Sequence, residues 1–323
     1  MMKAGLWLIF AGCASTPGWA AEPPQQEPAP PEADADASPR QLSELVVLER
    51  GARPRRVLRR ERPAIGTHYT STTTRSGAIT QQSPASKART EVMPSPTYTF
   101  DMTVVAHTED GGWVEESVIS GLDIGAGRRV DRQAVADGEQ IADSVAGMTS
   151  RMHIAADGRS LGTGTWRAGA DSDAAQRELE TRFEDAPADY PPSSCPLPDS
   201  KVGVGARWQT TQERANPLFT YAQTTTYTLT ELTDERIVCT FTIEGSAEPR
   251  VIEARPGGLQ TRLSQFRASG SGRAELSRSH WFSNRTTVSE QRSTVLTAHA
   301  GDQRMEVTLV DELQFEWVRT PTQ

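Results

Sequence analysis

Few side chains in this sequence have the types and spacing that chemistry requires. Ser279 and His280 could act as nucleophile and base, but neighbours in a predicted strand point to opposite faces of a sheet. Asp171-Ser172-Asp173 has part of the pattern of a calcium loop, yet it lacks the glycine and the closing glutamate, so helix capping explains it better. We therefore predict no catalytic residue, no cofactor and no bound metal. The five histidines are scattered along the chain: His68, His107, His153, His280 and His299.

The cysteines allow more than one interpretation. Cys195 and Cys239 could form a disulfide in an oxidising compartment. Cys239 also alternates with apolar residues in a predicted strand, which is equally typical of a buried, unpaired cysteine. Both interpretations stay open for this pair.

The start of the chain has the pattern of an export signal. Lys3 precedes a short apolar run over residues 4–14, and small residues around Ala20 provide a cleavage site. Alternatively, Phe10-Ala11-Gly12-Cys13 resembles the lipobox of bacterial lipoproteins, in which an acylated Cys13 would begin the mature chain and anchor it. Either interpretation predicts an extracytoplasmic protein that is periplasmic, tethered to the outer membrane, or secreted.

Composition limits the number of domains and the kinds of partner that the rest of the chain can have. Without the signal and tail, about 270 residues remain, enough for one large β-domain or two small ones. The hydrophobic content of 36% is enough for a sheet that has one buried face and one solvent-exposed face. The formal net charge of −8 argues against nucleic acid as a partner, because such binding needs a basic surface.

Strand patterns dominate from residue 64 onward. Apolar residues alternate with polar ones from Tyr98 to Val104, which is the period of a half-buried strand. Turns at 109–112, 156–159 and 233–236 separate further strands and predict hairpins. The expected fold is mainly β, a large antiparallel curved sheet or half-open barrel, with one or two short helices over 139–145 and 173–186.

Two halves of the chain look alike. Gly66 and Gly205 each precede an aromatic residue and a Thr-rich strand, as expected where the chain bends into a sheet. We predict a signal over 1–20, a disordered Pro-rich and acidic, then Arg-rich linker over 21–56, and a first β half over 57–186. A Pro-rich connection over 187–202 then leads to a second β half over 203–318, and the two halves should share one sheet system.

A resemblance supports this layout. Residues 196–208, PLPDSKVGVGARW, resemble the LP-x-x-x-V-x-V-G-x-x-W signature of a family of bacterial envelope proteins of unknown function. Members of that family are mostly lipoproteins with an N-terminal tether and a Thr-rich β body. The resemblance would cover residues 57–318, and it implies no catalytic residues. At the level of fold alone, the layout is also similar to the half-open barrels of lipoprotein carriers and of mycobacterial lipid-binding lipoproteins.

Two functions follow as hypotheses. The first is a structural or protein-interaction module that uses its polar Thr, Ser and Arg face to contact an envelope protein. The alternative is a carrier that holds a lipid or another apolar ligand in the concave face of the sheet. The aromatic and apolar residues that would line such a site are Tyr98, Phe100, Met102, Trp113, Tyr227, Leu229, Phe241 and Trp281.

Overall fold

The computed structural model describes residues 44–58, 62–84, 86–125, 144–160, 166–168, 195–216, 218–252, 261–278, 283–300 and 303–322, with five further positions over 130–142. All of them belong to one compact unit, Leu42–Gln323. The expected signal over 1–20, with Cys13, and the expected helix over 173–186 lie outside the described residues. Of the short helix expected over 139–145, the described positions 139, 142, 144 and 145 are helical.

Described residues form a single sheet of fourteen strands, as predicted for a mainly β protein. The strands are β1 (Val46–Glu49), β2 (His68–Ser83), β3 (Ser86–Val92), β4 (Ser95–His107), β5 (Trp113–Gly125), β6 (Thr149–Ile154), β7 (Trp166–Arg167), β8 (Arg207–Asn216), β9 (Phe219–Leu232), β10 (Arg236–Ala247), β11 (Arg250–Ile252), β12 (Thr261–Ser277), β13 (Ser283–Ala300) and β14 (Gln303–Pro321).

Strand order shows how the two halves join. The path runs β1-β8-β9-β10-β12-β13-β14-β2-β4-β5-β6-β7, while β11 pairs with β12 and β3 pairs with β2. All of these pairings are antiparallel. The last strand, β14, lies beside the first long strand, β2, so the predicted halves do share one sheet. The path is open, with β1 and β7 at its two ends.

The four strands at the middle of this path are unusually long. They have 16, 17, 18 and 19 residues in β2, β12, β13 and β14, whereas a typical strand has about 5–6. The pairing of β13 with β14 runs without a break from Arg285 opposite Val318 to Ala300 opposite Gln303. Since side chains alternate between faces along a strand, unbroken pairing keeps each face consistent over its whole length.

One face of the second half carries the largest apolar cluster. Trp208, Tyr227 and Phe241 pack in succession, with ring centroids 6.0 Å and then 5.5 Å apart. All three are buried, together with Leu313 and Phe315 of β14. Burial of each such side chain contributes roughly 1.5–3 kcal/mol, which makes this cluster the main apolar support of the sheet. We call this face the inner face and the opposite one the outer face.

Two smaller clusters cover other parts of the sheet. In the first half, Tyr69, Met102, Val104, Trp113 and Ile154 pack together on β2, β4, β5 and β6. At the far end of β9 and β12, three rings meet, with 5.0 Å between the centroids of Phe219 and Phe266 and 4.7 Å between those of Tyr221 and Phe266. The apolar burial is therefore divided among separate patches.

The end of the predicted linker over 21–56 differs from expectation. Val46–Glu49 forms β1, which pairs with Arg207–Gln209 of β8. Ala52 N donates to the carbonyl of Val204 at 2.8 Å, and Arg56 forms a bridge with Val202. Backbone groups of the second half thus hold this Arg-rich stretch, although its composition is typical of a linker.

A substitution at Gly272 tests the packing of the large cluster. A methyl group there would overlap the Phe241 ring and the Thr287 carbonyl. We expect Gly272→Ala to lower the free energy of unfolding by about 1–3 kcal/mol, the usual cost of overpacking. Urea denaturation followed by circular dichroism measures this loss.

Gly121→Ala is the matched control, because a methyl group at Gly121 would make only ordinary contacts of 3.6 and 3.8 Å with Thr99. Equal stability of Gly272→Ala and the wild type would contradict the described contact between β10 and β12.

Candidate functional site

The outer face carries polar side chains in rows that cross the strands. In one row, Ser271 lies opposite Ser289, Ser289 opposite Gln314, and Gln314 opposite Ser76. The same row continues from Ser271 into β10, β9 and β8. Neighbouring strands are about 4.8 Å apart, so the row presents closely spaced polar groups. This hydroxyl row consists of Gln209, Thr226, Thr242, Ser271, Ser289, Gln314 and Ser76 and contains no charged residue.

Longer side chains occur in the rows on either side. One flanking row contains Arg273 and Glu316, and the other contains Gln291 and Glu312. A groove of about 440 Å³ lies over the short side chains of the hydroxyl row and beside the row of Arg273 and Glu316, across β12, β13, β14 and β2. Its lining residues are Thr74, Ser76, Ser271, Gly272, Arg273, Thr287, Val288, Ser289, Gln314, Phe315 and Glu316.

Charged groups at the rim of the groove are paired with one another. Arg273 Nη2 lies 3.1 Å from Glu275 Oε1, and Arg285 Nη2 lies 2.6 Å from Glu316 Oε1. Such exposed ion pairs contribute little to stability, about 0–1 kcal/mol, and are easily rearranged. They leave the bottom of the groove without net charge.

The polar groups at the bottom of the groove face solvent. Ser271, Ser289 and Gln314 are exposed, and within the described part of the chain their side chains make no hydrogen bond. Further along the row, Gln209 Nε2 donates to Thr226 Oγ1 at 3.2 Å. The groove therefore offers hydroxyl and amide groups that can both donate and accept hydrogen bonds.

The structure divides the apolar residues proposed as a ligand lining. Met102 and Trp113 are buried in the first-half cluster, whereas Tyr227, Leu229 and Phe241 are buried in the large cluster of the second half. Burial raises the pKa of Tyr227, so its hydroxyl stays neutral. These residues are packed against other protein side chains.

The remaining candidates of that lining are less buried. Tyr98 and Phe100 are half-buried and stacked, with 6.0 Å between ring centroids, and Phe100 stacks on Trp166 at 5.7 Å. Trp281 lies outside the described residues. Among the residues described, these rings do not join those of the second half in one lining.

Cys195 and Cys239 are joined by a disulfide in the structure, with their Cα atoms 6.4 Å apart. Both residues are fully buried in the large cluster. The bond connects the segment before β8 to β10. The disulfide is therefore part of the large apolar cluster, and neither cysteine is exposed.

Two of the described histidines have hydrogen-bond partners at separate places. His68 Nδ1 lies 2.9 Å from Thr103 Oγ1, and His107 Nε2 donates to the Pro63 carbonyl at 2.7 Å. Ser279 and His280 lie outside the described residues. No group of three or more His, Cys, Asp or Glu within the described ranges is placed to hold a metal ion.

A buried charged group was not anticipated from the sequence. Glu115 of β5 is completely buried and accepts a hydrogen bond from Trp113 Nε1 at 2.8 Å. Arg319 Nη2 lies 4.0 Å from its other oxygen, and the Arg319 guanidinium lies 5.5 Å from the centroid of the Tyr69 ring. Burial, followed by the negative charge of Glu115, raises the pKa of Tyr69 well above its ordinary value. The indication in the sequence was that Glu115 lies two residues after Trp113, so both side chains are on the same, buried face of β5.

Comparison with known proteins does not identify a relative. No protein-family model matches the chain, and no curated protein has a significantly similar sequence. The resemblance to envelope lipoproteins therefore stays a prediction. In the described ranges, no helix has the length and apolar character needed to cross a membrane.

Replacing Glu115 tests the role of this buried carboxylate. We expect Glu115→Ala to lower the free energy of unfolding by about 1–3 kcal/mol, because the buried Trp113 Nε1 would lose its acceptor. Glu115→Gln should lose less, since its amide oxygen can still accept the bond from Trp113. Chemical denaturation monitored by tryptophan fluorescence measures both losses.

Glu116→Gln is the neighbouring control. Glu116 pairs at 2.9 Å with Arg151, whose side chain is 69% exposed, so we expect a change below about 1 kcal/mol. A loss for Glu115→Ala as small as that of the control would contradict the role assigned to Glu115.

Proposed function

We propose that this protein is an exported envelope module without catalytic activity that binds a partner protein through the hydroxyl row. The supporting observation is the groove over β12, β13, β14 and β2, whose exposed hydroxyl and amide groups are not engaged by the described residues. Export, by cleavage after Ala20 or by acylation of Cys13, belongs to this proposal and rests on the sequence alone.

The chemistry of the groove favours a polar protein segment as its occupant. Short serine side chains let a partner backbone approach the sheet closely, and hydroxyl groups can bond to its N–H and C=O groups alike. Interfaces between separate proteins contain about one hydrogen bond per 100–200 Å² and trap water, which suits a polar surface of this kind. Paired rim charges can exchange partners with opposite charges on the bound segment.

The apolar residues proposed to line a lipid site are packed into two separate clusters, which also favours partner binding over lipid carriage. Tyr227 and Phe241 are 2% exposed, and Trp113 is 1% exposed. A carrier needs a cavity lined by apolar side chains. The groove described above has instead mostly Ser, Thr and Gln in its lining.

Site-specific photocrosslinking in the native envelope tests the proposal. A benzophenone amino acid in place of Ser289 should give one discrete adduct, because Ser289 lies at the bottom of the groove. The control places the same probe at Thr211, an exposed position on the outer face that does not line the groove. Ser271→Arg, combined with the probe at Ser289, should reduce the adduct at least tenfold by filling the groove.

Three results would contradict the proposal: no adduct at Ser289, equal adducts at Ser289 and Thr211, or an adduct that Ser271→Arg leaves unchanged. Native mass spectrometry of the protein purified from the same envelope tests the alternative function of lipid carriage. A near-stoichiometric acyl ligand in that spectrum would support a carrier instead.

A further inference from the structure

Strand β3 has a described partner on one of its two edges only. It pairs with the second half of β2, from Ala78 opposite Val92 to Ser83 opposite Ser86, and no described strand lies on its other side. The first five residues of β3 are exposed. An open strand edge is a template for pairing with another strand.

Backbone parity determines which groups point outward from this edge. Met93 N donates to the Gly77 carbonyl at 3.0 Å. Because hydrogen-bonded and non-hydrogen-bonded pairs alternate in an antiparallel ladder, Arg89 and Glu91 direct their N–H and C=O groups toward β2. The corresponding groups of Ala88, Thr90 and Val92 point away from the sheet and are available to a further strand.

Charged side chains alternate along the same strand. Lys87, Arg89 and Glu91 share one face of β3, and none of them has an ion-pair partner among the described residues. On the other face, the hydroxyls of Thr90 and Thr80 lie 2.9 Å apart. The edge thus carries a short pattern of positive and negative charge that β2 does not neutralise.

We propose that β3 pairs in antiparallel fashion with β3 of a second copy of this chain, about a two-fold axis at Thr90. In that register Thr90 lies opposite Thr90, and Ala88 lies opposite Val92 twice. These are the residues whose backbone groups point outward, so they would form the hydrogen-bonded pairs. Arg89 then lies opposite Glu91 on both sides of the axis.

The charges select this register over its neighbours. Among the axes that pair outward-pointing backbone groups, one at Ala88 would place Lys87 opposite Arg89. An axis at Val92 would place Glu91 opposite Met93 and would lose both contacts between Arg89 and Glu91. Like charges directly opposite each other destabilise a strand pair, whereas opposite charges stabilise it. With the axis at Thr90, both Arg89–Glu91 contacts occupy non-hydrogen-bonded pairs, in which the side chains are closest.

Sedimentation velocity of the purified protein over a range of concentrations tests the proposal. Dimerisation should be concentration-dependent and weak, because a single short strand pair buries less surface than a standard interface. Arg89→Glu should weaken association at least tenfold, since both contacts would then bring two carboxylates together. Glu91→Arg should have the same effect, because both contacts would then bring two guanidinium groups together.

The exchanged pair Arg89→Glu/Glu91→Arg should restore association, because it rebuilds both contacts in reversed order. Lys87→Glu is the matched control: Lys87 is exposed on the same face, but it lies opposite Met93 in this register, so association should stay within about twofold. Thr90→Pro removes an outward N–H and should abolish the dimer; circular dichroism checks that the variant keeps its fold.

A wild-type protein that stays monomeric up to millimolar concentration would overturn the proposal. So would a dimer that Arg89→Glu does not weaken, or one that the exchanged pair fails to restore. Because none of these residues lines the groove at Ser289, the outcome is independent of the photocrosslinking experiment.

Discussion

The pairing of β14 with β2 is the interaction on which the rest of the structure depends. It runs from Thr308 opposite Gln82 to Pro321 opposite Tyr69 and joins strands that are more than two hundred residues apart in sequence. Without it, β2–β7 and β8–β14 would be two sheets, each with a further open edge. Arg319 of β14 also approaches Glu115 of β5. The last strand of the chain therefore supports the packing of both halves.

Alternation along the central part of these long strands places the packed side chains on one face and the groove on the other. In β14, Leu313, Phe315 and Trp317 point to the inner face, while Gln314 and Glu316 point to the outer one. A one-residue slip would turn Leu313, Phe315 and Trp317 toward the outer face and expose them to water, so the register is strongly specified. The same alternation places Glu312, Gln314 and Glu316 on the outer face. A protein surface built in this way can bind partners without exposing the side chains that stabilise the fold.

Much of the architecture could be predicted from local sequence patterns. The alternation around Tyr98 predicts β4, and the turns at 109–112 and 233–236 lie between paired strands. The pairing of β14 with β2 depends on contacts between distant residues, which local alternation does not encode. Likewise, Val46–Glu49 has a partner only because β8 exposes an edge. The hydroxyl row was missed because its members lie on seven strands and become neighbours only through the register.

Hydrogen–deuterium exchange of the intact protein, measured at increasing urea, tests most directly whether β14 holds one cooperative sheet. We predict that peptides from β2, β13 and β14 are the slowest to exchange. We also predict that β4 and β9, which lie on opposite sides of this centre, lose protection at the same urea concentration. Loss of protection in β4 well before β9, with β14 still protected, would contradict this cooperativity and show that the two halves unfold independently.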